Sequence, residues 1–179
     1  MKFKNTPHAY GIISRSLHWL MVLLLALMFA IGWGADYLSG DSKSAAIDLH
    51  KSVGITILAL AAMRLLWRIL NPPPPPPAGL KPLERLAASL THMALYVMLF
   101  AMPVIGWAMV SAFGRKVDVF NVVQLPNLVE KDRHMGGLFK DLHETGGNAL
   151  AILIGAHVAA ALYHHFIRKD NVLRRMWKG

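Results

Sequence analysis

The chain has 179 residues, a formal net charge of +9 and no cysteine, and 55% of its residues are hydrophobic, with a mean hydropathy of +0.40. This composition is too apolar for a soluble domain of this size and predicts an integral membrane protein. The absence of cysteine excludes disulfides, iron–sulfur clusters, thiolate-ligated zinc and covalently attached c-type haem.

Four apolar segments follow one another along the chain, and each has the roughly 18 residues or more that are typical of a membrane-spanning helix. They cover approximately residues 17–34, 50–70, 83–112 and 143–167. Because backbone groups in lipid must hydrogen-bond within their own segment, each is predicted to be helical. The predicted fold class is therefore all-α, with residues 1–179 forming a single transmembrane domain, an integral membrane four-helix bundle.

The connecting segments differ in character. The first, Ala35–Leu49, is short, and the longest, Phe113–Leu142, carries charges of both signs. Between the second and third spans, the six consecutive prolines Pro72–Pro77 predict a stiff, extended connector. Pro103 lies inside the third apolar segment, where it is expected to bend the helix or leave a backbone carbonyl free.

The basic residues are distributed unequally between the two predicted membrane faces. Twelve of the nineteen Lys and Arg residues flank the side that holds both termini and the proline-rich connector. The positive-inside rule therefore places the N- and C-termini in the cytoplasm, for a multi-pass protein of the bacterial inner membrane. Because juxtamembrane placement already explains most of this charge, no nucleic acid partner is predicted and the lipid bilayer is the expected environment.

Four histidines, His18, His50, His143 and His157, lie within or at the ends of these apolar segments. Ionisable residues inside a membrane are costly and are candidates for function. In a chain without cysteine, the use that we predict for them is axial ligation of haem iron. His143 and His157 are fourteen residues apart on one predicted helix, so they share a face and are separated by roughly 21 Å along its axis. That spacing favours two cofactors at different depths.

The predicted topology assigns these histidines to pairs. His50 and His143 both lie near the periplasmic surface (the outer pair), whereas His18 and His157 lie towards the cytoplasm (the inner pair). His164 lies two turns beyond His157 on a similar face, so it is a lower-ranked alternative partner for His18.

Small residues one turn from the candidate ligands have two interpretations. Gly54 follows His50 by four residues, and Gly147 follows His143 by the same interval. They could let a flat macrocycle lie against the backbone, or they could simply permit close helix packing in lipid. Likewise, single histidines at helix ends can lie at the headgroup level without binding a cofactor.

Several runs of sequence resemble the bacterial cytochrome b561 family. They are Ser16–Leu20, His50–Gly54, Met102–Gly106, Leu142–Thr145, Gly155–Phe166 and Lys169–Met176. The resemblance covers nearly the whole chain, and it is strongest to the small di-haem members that oxidise superoxide and reduce ubiquinone. It implies four transmembrane helices, two b-type haems, quinone reduction, and axial ligation by His18 and His157 (inner haem) and by His50 and His143 (outer haem).

The resemblance also directs attention to residues near each haem. Lys51 and Lys140 lie next to or within three residues of an outer ligand and are candidates for attracting the superoxide anion. Arg15, Trp19 and His164 lie at the depth expected for a ubiquinone pocket near the inner haem.

Two other functions remain compatible with the sequence. The chain could be an electron-transfer subunit that links a dehydrogenase, a redox partner protein of unknown identity, to the quinone pool through the same haems. It could also be a haem-free membrane scaffold or transporter, although it lacks the internal repeat that is often found in transporters.

Overall fold

The computed structural model describes residues 2–77 and 79–178. Its elements in chain order are α1 (Ile12–Gly34), a 3₁₀ turn (Ala35–Tyr37), α2 (Gly40–Leu70), α3 (Pro82–Ala112), β1 (Asp118–Val119), β2 (Val123–Gln124), α4 (Arg133–Phe166) and α5 (Val172–Trp177). Four helices are long and apolar enough to cross a membrane, with candidate spans Ile12–Tyr37, Gly40–Leu70, Pro82–Ala112 and Arg133–Phe166. The predicted fold class, an all-α integral membrane bundle, is confirmed.

The apolar surfaces of these helices are largely uncovered by protein. Leu23 is 69% exposed and Ile152 is 75% exposed, although both lie in the middle of long helices. Soluble monomers rarely expose contiguous apolar surface of this extent, so lipid is the solvent that covers it.

Two helices begin ten residues earlier than the hydropathy pattern predicted. α2 begins at Gly40 and α4 begins at Arg133, where segments starting at His50 and His143 were predicted. The pattern marks only the lipid-facing turns, whereas the polar turns before them are also helical. At α4, the Asp132 carboxylate accepts hydrogen bonds from the backbone N–H groups of His134 (2.8 Å) and Met135 (3.2 Å), which fixes the start of the helix.

The connector between α3 and α4 is shorter and more ordered than the predicted loop Phe113–Leu142. Its two short strands pair antiparallel, with Asp118 opposite Gln124 and Val119 opposite Val123. Phe120 and Asn121, at the turn, have positive φ values of 51° and 56°. Pro103 lies inside α3 and does not end the helix, which continues to Ala112.

Contacts group the chain into two compact units. The first unit comprises Met1–Leu20, Ala62–Met98 and Asn148–Gly179, and the second comprises Met21–Ala61 and Leu99–Gly147.

In the first unit, the N-terminal segment is hydrogen-bonded to the end of α2. The Asn5 side-chain oxygen accepts from Gly11 N–H (2.9 Å) and Ser14 O–H (2.8 Å), and its Nδ2 donates to the carbonyls of Asn71 (2.9 Å) and Pro72 (3.1 Å). The proline-rich connector is also held from the C-terminal side, because Arg175 donates to the Pro75 carbonyl at 2.8 Å.

In the second unit, an apolar core forms around buried side chains of three helices. Its members are Met21, Val53, Ile57, Ala61 and Leu99. Beside this core, the Ser52 hydroxyl ties the β1–β2 turn to α2, because its oxygen accepts from Phe120 N–H at 2.9 Å and lies 3.2 Å from the Asp118 carbonyl oxygen. The hairpin is therefore anchored two residues from His50.

Candidate functional site

The inner histidine pair comes together in the first unit. The ring centroids of His18 and His157 lie 6.4 Å apart, with an angle of 78° between the ring planes. A metal–imidazole bond is about 2.0 Å long, and the bonding nitrogen lies about 1.1 Å from the ring centroid, so imidazoles on opposite sides of one metal ion have centroids about 6.2 Å apart. The spacing of His18 and His157 fits this geometry.

A third histidine, His92 of α3, approaches the same site. Its ring centroid lies 5.4 Å from that of His157. This separation is shorter than opposed ligation of one metal ion requires, so His18 is the better-placed partner of His157.

The outer pair comes together independently in the second unit. The rings of His50 and His143 have centroids 6.1 Å apart and planes 72° apart. The two predicted pairs therefore share nearly the same geometry, although they are built from different parts of the helices.

Two glycines to which the sequence interpretation gave no role lie against the imidazole rings of the outer pair. A Cβ atom placed on Gly32 would lie 3.4 Å from Cε1 of His50 and 3.9 Å from its Nδ1. At Gly106, a Cβ would lie 3.0 Å from Cε1, 3.3 Å from Nδ1 and 3.9 Å from Nε2 of His143. Each ring thus turns its Nδ1–Cε1 edge towards a glycine, which leaves Nε2 as the nitrogen that points farther away.

The two glycines that the sequence did single out have a different environment. Within 4 Å of a Cβ placed on Gly54 the structure has only the terminal methyl of Met28, at 3.6 Å. At Gly147 the corresponding neighbour is the terminal methyl of Met102, at 4.0 Å. The neighbours of both glycines are thus methionine side chains at ordinary contact distance, and both interpretations of these positions stay predictions.

Buried nitrogen atoms without a partner belong to two of the same residues. The Nδ1 atoms of His18 and His50 are buried and, within the described part of the chain, have no hydrogen-bond partner. Leaving such an atom unsatisfied costs about 1–3 kcal/mol. Because Nε2 is the nitrogen that would bind iron, haem ligation does not supply a partner for Nδ1, and these atoms do not by themselves distinguish a ligand from a buried histidine.

The donor set suits haem better than a bare metal ion. Within residues 2–77 and 79–178, no group of three or more His, Cys, Asp or Glu side chains could hold a metal ion. Two opposed imidazoles suffice when a porphyrin supplies the other four nitrogens, so the residues present fit haem at both pairs.

The lysines predicted to attract superoxide are both engaged in ion pairs. Lys51 Nζ lies 2.6 Å from Asp48 Oδ1, and its side chain is only 19% exposed. Lys140 Nζ lies 2.7 Å from Glu144 Oε1. A neighbouring carboxylate offsets the positive potential of each lysine, so the attraction that either offers to an anion is weakened.

The quinone candidates lie against the C-terminal segment. Arg15 Nη2 donates to the Trp177 carbonyl at 2.7 Å, and Trp19 Nε1 donates to the Met176 carbonyl at 3.1 Å. Both side chains are therefore hydrogen-bonded to α5, and a quinone headgroup that accepted a hydrogen bond from Trp19 Nε1 would have to replace the Met176 carbonyl.

His164, the third quinone candidate, is paired as well. Its Nδ1 lies 2.5 Å from Asp170 Oδ2. Burial opposes ionisation of Asp170, but the hydrogen bonds from Val172 N–H and His164, together with nearby positive charge, hold the pKa of this carboxyl below its usual value. This contact engages Nδ1 of His164. The histidine ring that lies close to His18 is that of His157.

Arg64 is a functional candidate that the sequence interpretation treated only as flanking charge. It lies within α2, six residues before the helix ends at Leu70. Its positive charge acts on His18, His92 and His157. An arginine inside a candidate span is itself a signal of function.

Comparison with known proteins assigns the chain to a family. The family model described as "Prokaryotic cytochrome b561" matches residues 9–179. The chain belongs to the prokaryotic cytochrome b561 family. It is 37% identical over 179 residues to cytochrome b561 homolog 2 of Escherichia coli (strain K12), an alignment that covers 98% of this chain and 95% of that protein.

Two further relatives differ in what their names say. Cytochrome b561 homolog 1 of the same strain is 35% identical over 167 residues, covering 89% of this chain and 92% of the relative. A protein of Yersinia pestis named probable superoxide oxidase CybB is 30% identical over 171 residues, covering 93% and 94%. As a member of the cytochrome b561 family, the protein is a membrane cytochrome that binds b-type haem and transfers electrons, which confirms the family, the membrane location and the haem class predicted from sequence.

Replacement of Gly106 by alanine is expected to weaken haem binding by this cytochrome at the outer pair. The added methyl would lie 3.0 Å from His143 Cε1, so the ring must move. Overpacking of this kind costs about 1–3 kcal/mol, and the better helix propensity of alanine offsets at most about 1 kcal/mol of it. The measurement is haem content after purification, together with the temperature at which the haem absorbance is lost.

Gly137→Ala is the matched control for this substitution. It is also a glycine inside a long helix, but a Cβ there has nothing within 4 Å. It should retain the haem content of the unmodified cytochrome. Equal haem content and equal thermal loss in Gly106→Ala and Gly137→Ala would contradict the role assigned to Gly106.

Proposed function

We propose that this protein is a di-haem b-type cytochrome of the bacterial inner membrane that oxidises superoxide at the periplasmic side and reduces ubiquinone. The observation that carries the proposal is the pair of imidazole separations, 6.4 Å for His18 and His157 and 6.1 Å for His50 and His143. In this proposal, the first pair holds an inner haem and the second holds an outer haem.

The overall reaction fixes what the protein must provide. Two superoxide anions each release one electron and become dioxygen, and one ubiquinone takes up the two electrons and two protons to become the quinol. When bound, haem iron supplies the one-electron redox couple. The chain supplies the opposed imidazoles, the glycines that contact the outer rings, and an apolar surround that limits access by water.

The proposed orientation places both termini in the cytoplasm. It is supported by the excess of Lys and Arg residues around the termini and the proline-rich connector. With this orientation, His50 and His143 lie towards the periplasm, where externally generated superoxide arrives.

A second function is supported by specific observations. The ion pairs of Lys51 and Lys140 reduce the positive charge available to steer superoxide. In addition, the two relatives with 37% and 35% identity are named only as cytochrome b561 homologs. These observations favour an electron-transfer subunit that accepts electrons from a dehydrogenase and passes them to the quinone pool.

The discriminating experiment measures quinol formation by the purified, haem-loaded protein. Superoxide is generated enzymatically in the presence of a soluble ubiquinone analogue, and quinol is measured with and without added superoxide dismutase. The proposal expects quinol formation that depends on the cytochrome and is abolished by the dismutase. Quinol formation at the rate seen without the cytochrome would overturn superoxide oxidation, and reduction of the haems by a membrane dehydrogenase fraction would then support the subunit function.

A further inference from the structure

Two arginines of α2 form a positive cluster beside the inner pair. Arg64 and Arg68 are one helical turn apart, so they share a face of the helix. Their guanidinium carbons lie 6.0 Å and 5.9 Å from the centroid of the Tyr96 ring, which therefore lies within reach of both cations.

A small cavity opens at this cluster. Its volume is about 30 Å³, and the side chains that line it include Tyr10, Ser14, Arg64, Arg68 and Tyr96. A void of this size accommodates a group about as large as one or two water molecules. Two guanidinium groups and two phenol hydroxyls around such a void present hydrogen-bond donors to an anionic group the size of a carboxylate.

The cavity lies one helical turn from a candidate haem ligand. Ser14, which lines it, precedes His18 by four residues on α1, so the two share a face of that helix. The charge of Arg64 also acts on both His18 and His157, the two residues assigned to the inner haem. A haem carries two propionate carboxylates, and taking a carboxylate out of water is costly unless it is paired and hydrogen-bonded. An arginine fork matches a carboxylate with two parallel hydrogen bonds.

We propose that Arg64 and Arg68 bind a propionate of the inner haem and raise the reduction potential of that haem. The inference rests on the proposed function, because it requires a haem at His18 and His157. A lipid phosphate could satisfy the same donors, but the position of the cavity one helical turn from His18 favours the propionate. Since reduction adds an electron to the haem, a fixed positive charge nearby favours the reduced form.

The test is a redox titration of Arg64→Gln followed by absorbance, in the full-length, haem-loaded protein. The inner haem is identified as the transition that is missing in His157→Ala. Its reduction equilibrium is expected to shift at least tenfold towards the oxidised form, which lowers its midpoint potential by about 59 mV for a one-electron couple. The midpoint potential of the outer haem is expected to stay unchanged. The propionate bending band in the resonance Raman spectrum should move in the same variant.

Matched variants distinguish this contact from general loss of charge or structure. Arg64→Lys keeps the cation and should recover most of the potential, whereas Arg85→Gln removes an exposed cation outside the cavity and should change neither transition. If Arg64→Gln does not accumulate, Arg68→Gln is expected to shift the same transition in the same direction by a smaller amount.

Failure of this inference can be told from failure of the proposed function. Two haems per chain with both potentials and the propionate band unchanged in Arg64→Gln and Arg68→Gln would overturn the propionate contact and leave a lipid phosphate as the occupant of the cavity. Absence of haem from the unmodified protein would instead overturn the proposed function itself.

Discussion

Replacing His157 with alanine is expected to reduce the haem content of the purified cytochrome from two per chain to one. The ring of His157 lies 6.4 Å from that of His18, close to the separation that opposed ligation requires, whereas the ring of His92 lies 5.4 Å from that of His157. A non-covalently bound haem that loses one of two axial bonds loses much of what retains it. Haem is measured as the pyridine adduct against protein concentration, with His18→Ala expected to give the same loss.

Two histidine variants provide the controls for this result. His164→Ala removes the partner of Asp170, and His92→Ala removes the ring 5.4 Å from His157. Both should retain two haems. If His164→Ala or His92→Ala lost a haem while His18→Ala kept both, the inner ligand would have to be reassigned.

Replacing His143 with alanine is expected to remove the outer haem and, with it, quinol formation driven by superoxide. His143 is opposed to His50 at 6.1 Å and is seated against Gly106, so alanine removes one axial ligand and the contact that orients it. The inner haem should remain and should still be reduced by dithionite. The measurements are haem content, and the superoxide-dependent rate normalised to the haem that remains.

Thr145→Ala serves as the neighbouring control, because Thr145 lies on α4 two residues from His143, is exposed and carries no charge. It should keep both haems and a rate close to that of the unmodified protein. A His143→Ala protein that reduced ubiquinone with superoxide at the original rate would show that the outer site is not where superoxide reacts.

The sequence was sufficient to predict that His18 lies near His157 and His50 near His143, because four apolar spans and their alternating direction constrain depth strongly. It did not predict that His92 also approaches His157. His50 and His143 lie at the starts of two predicted spans that enter from the same side. Their proximity could therefore be predicted without knowing the positions of side chains. The sequence did not reveal where α2 and α4 begin, because polar helical turns outside the lipid carry no hydropathy signal; the Asp132 cap was the local sign that was available.

Contacts between distant parts of the chain explain what else was missed. The hydrogen bonds of Arg15 and Trp19 join residues that are more than 150 positions apart, and no local pattern predicts them. By contrast, the pairs Asp48–Lys51 and Lys140–Glu144 have the i,i+3 and i,i+4 spacings that place opposite charges together on a helix. Those spacings were readable, and they would have lowered the rank of both lysines as superoxide attractants.

The central claim is that each chain holds two b-type haems, one between each pair of opposed imidazoles. Its most direct test is the amount of haem per chain in protein purified from haem-replete cells, read with a reduced-minus-oxidised absorption spectrum. The account predicts two haems per chain and a b-type α band that develops in two redox steps. A folded, colourless preparation, or one that never exceeds a single haem per chain, would contradict it.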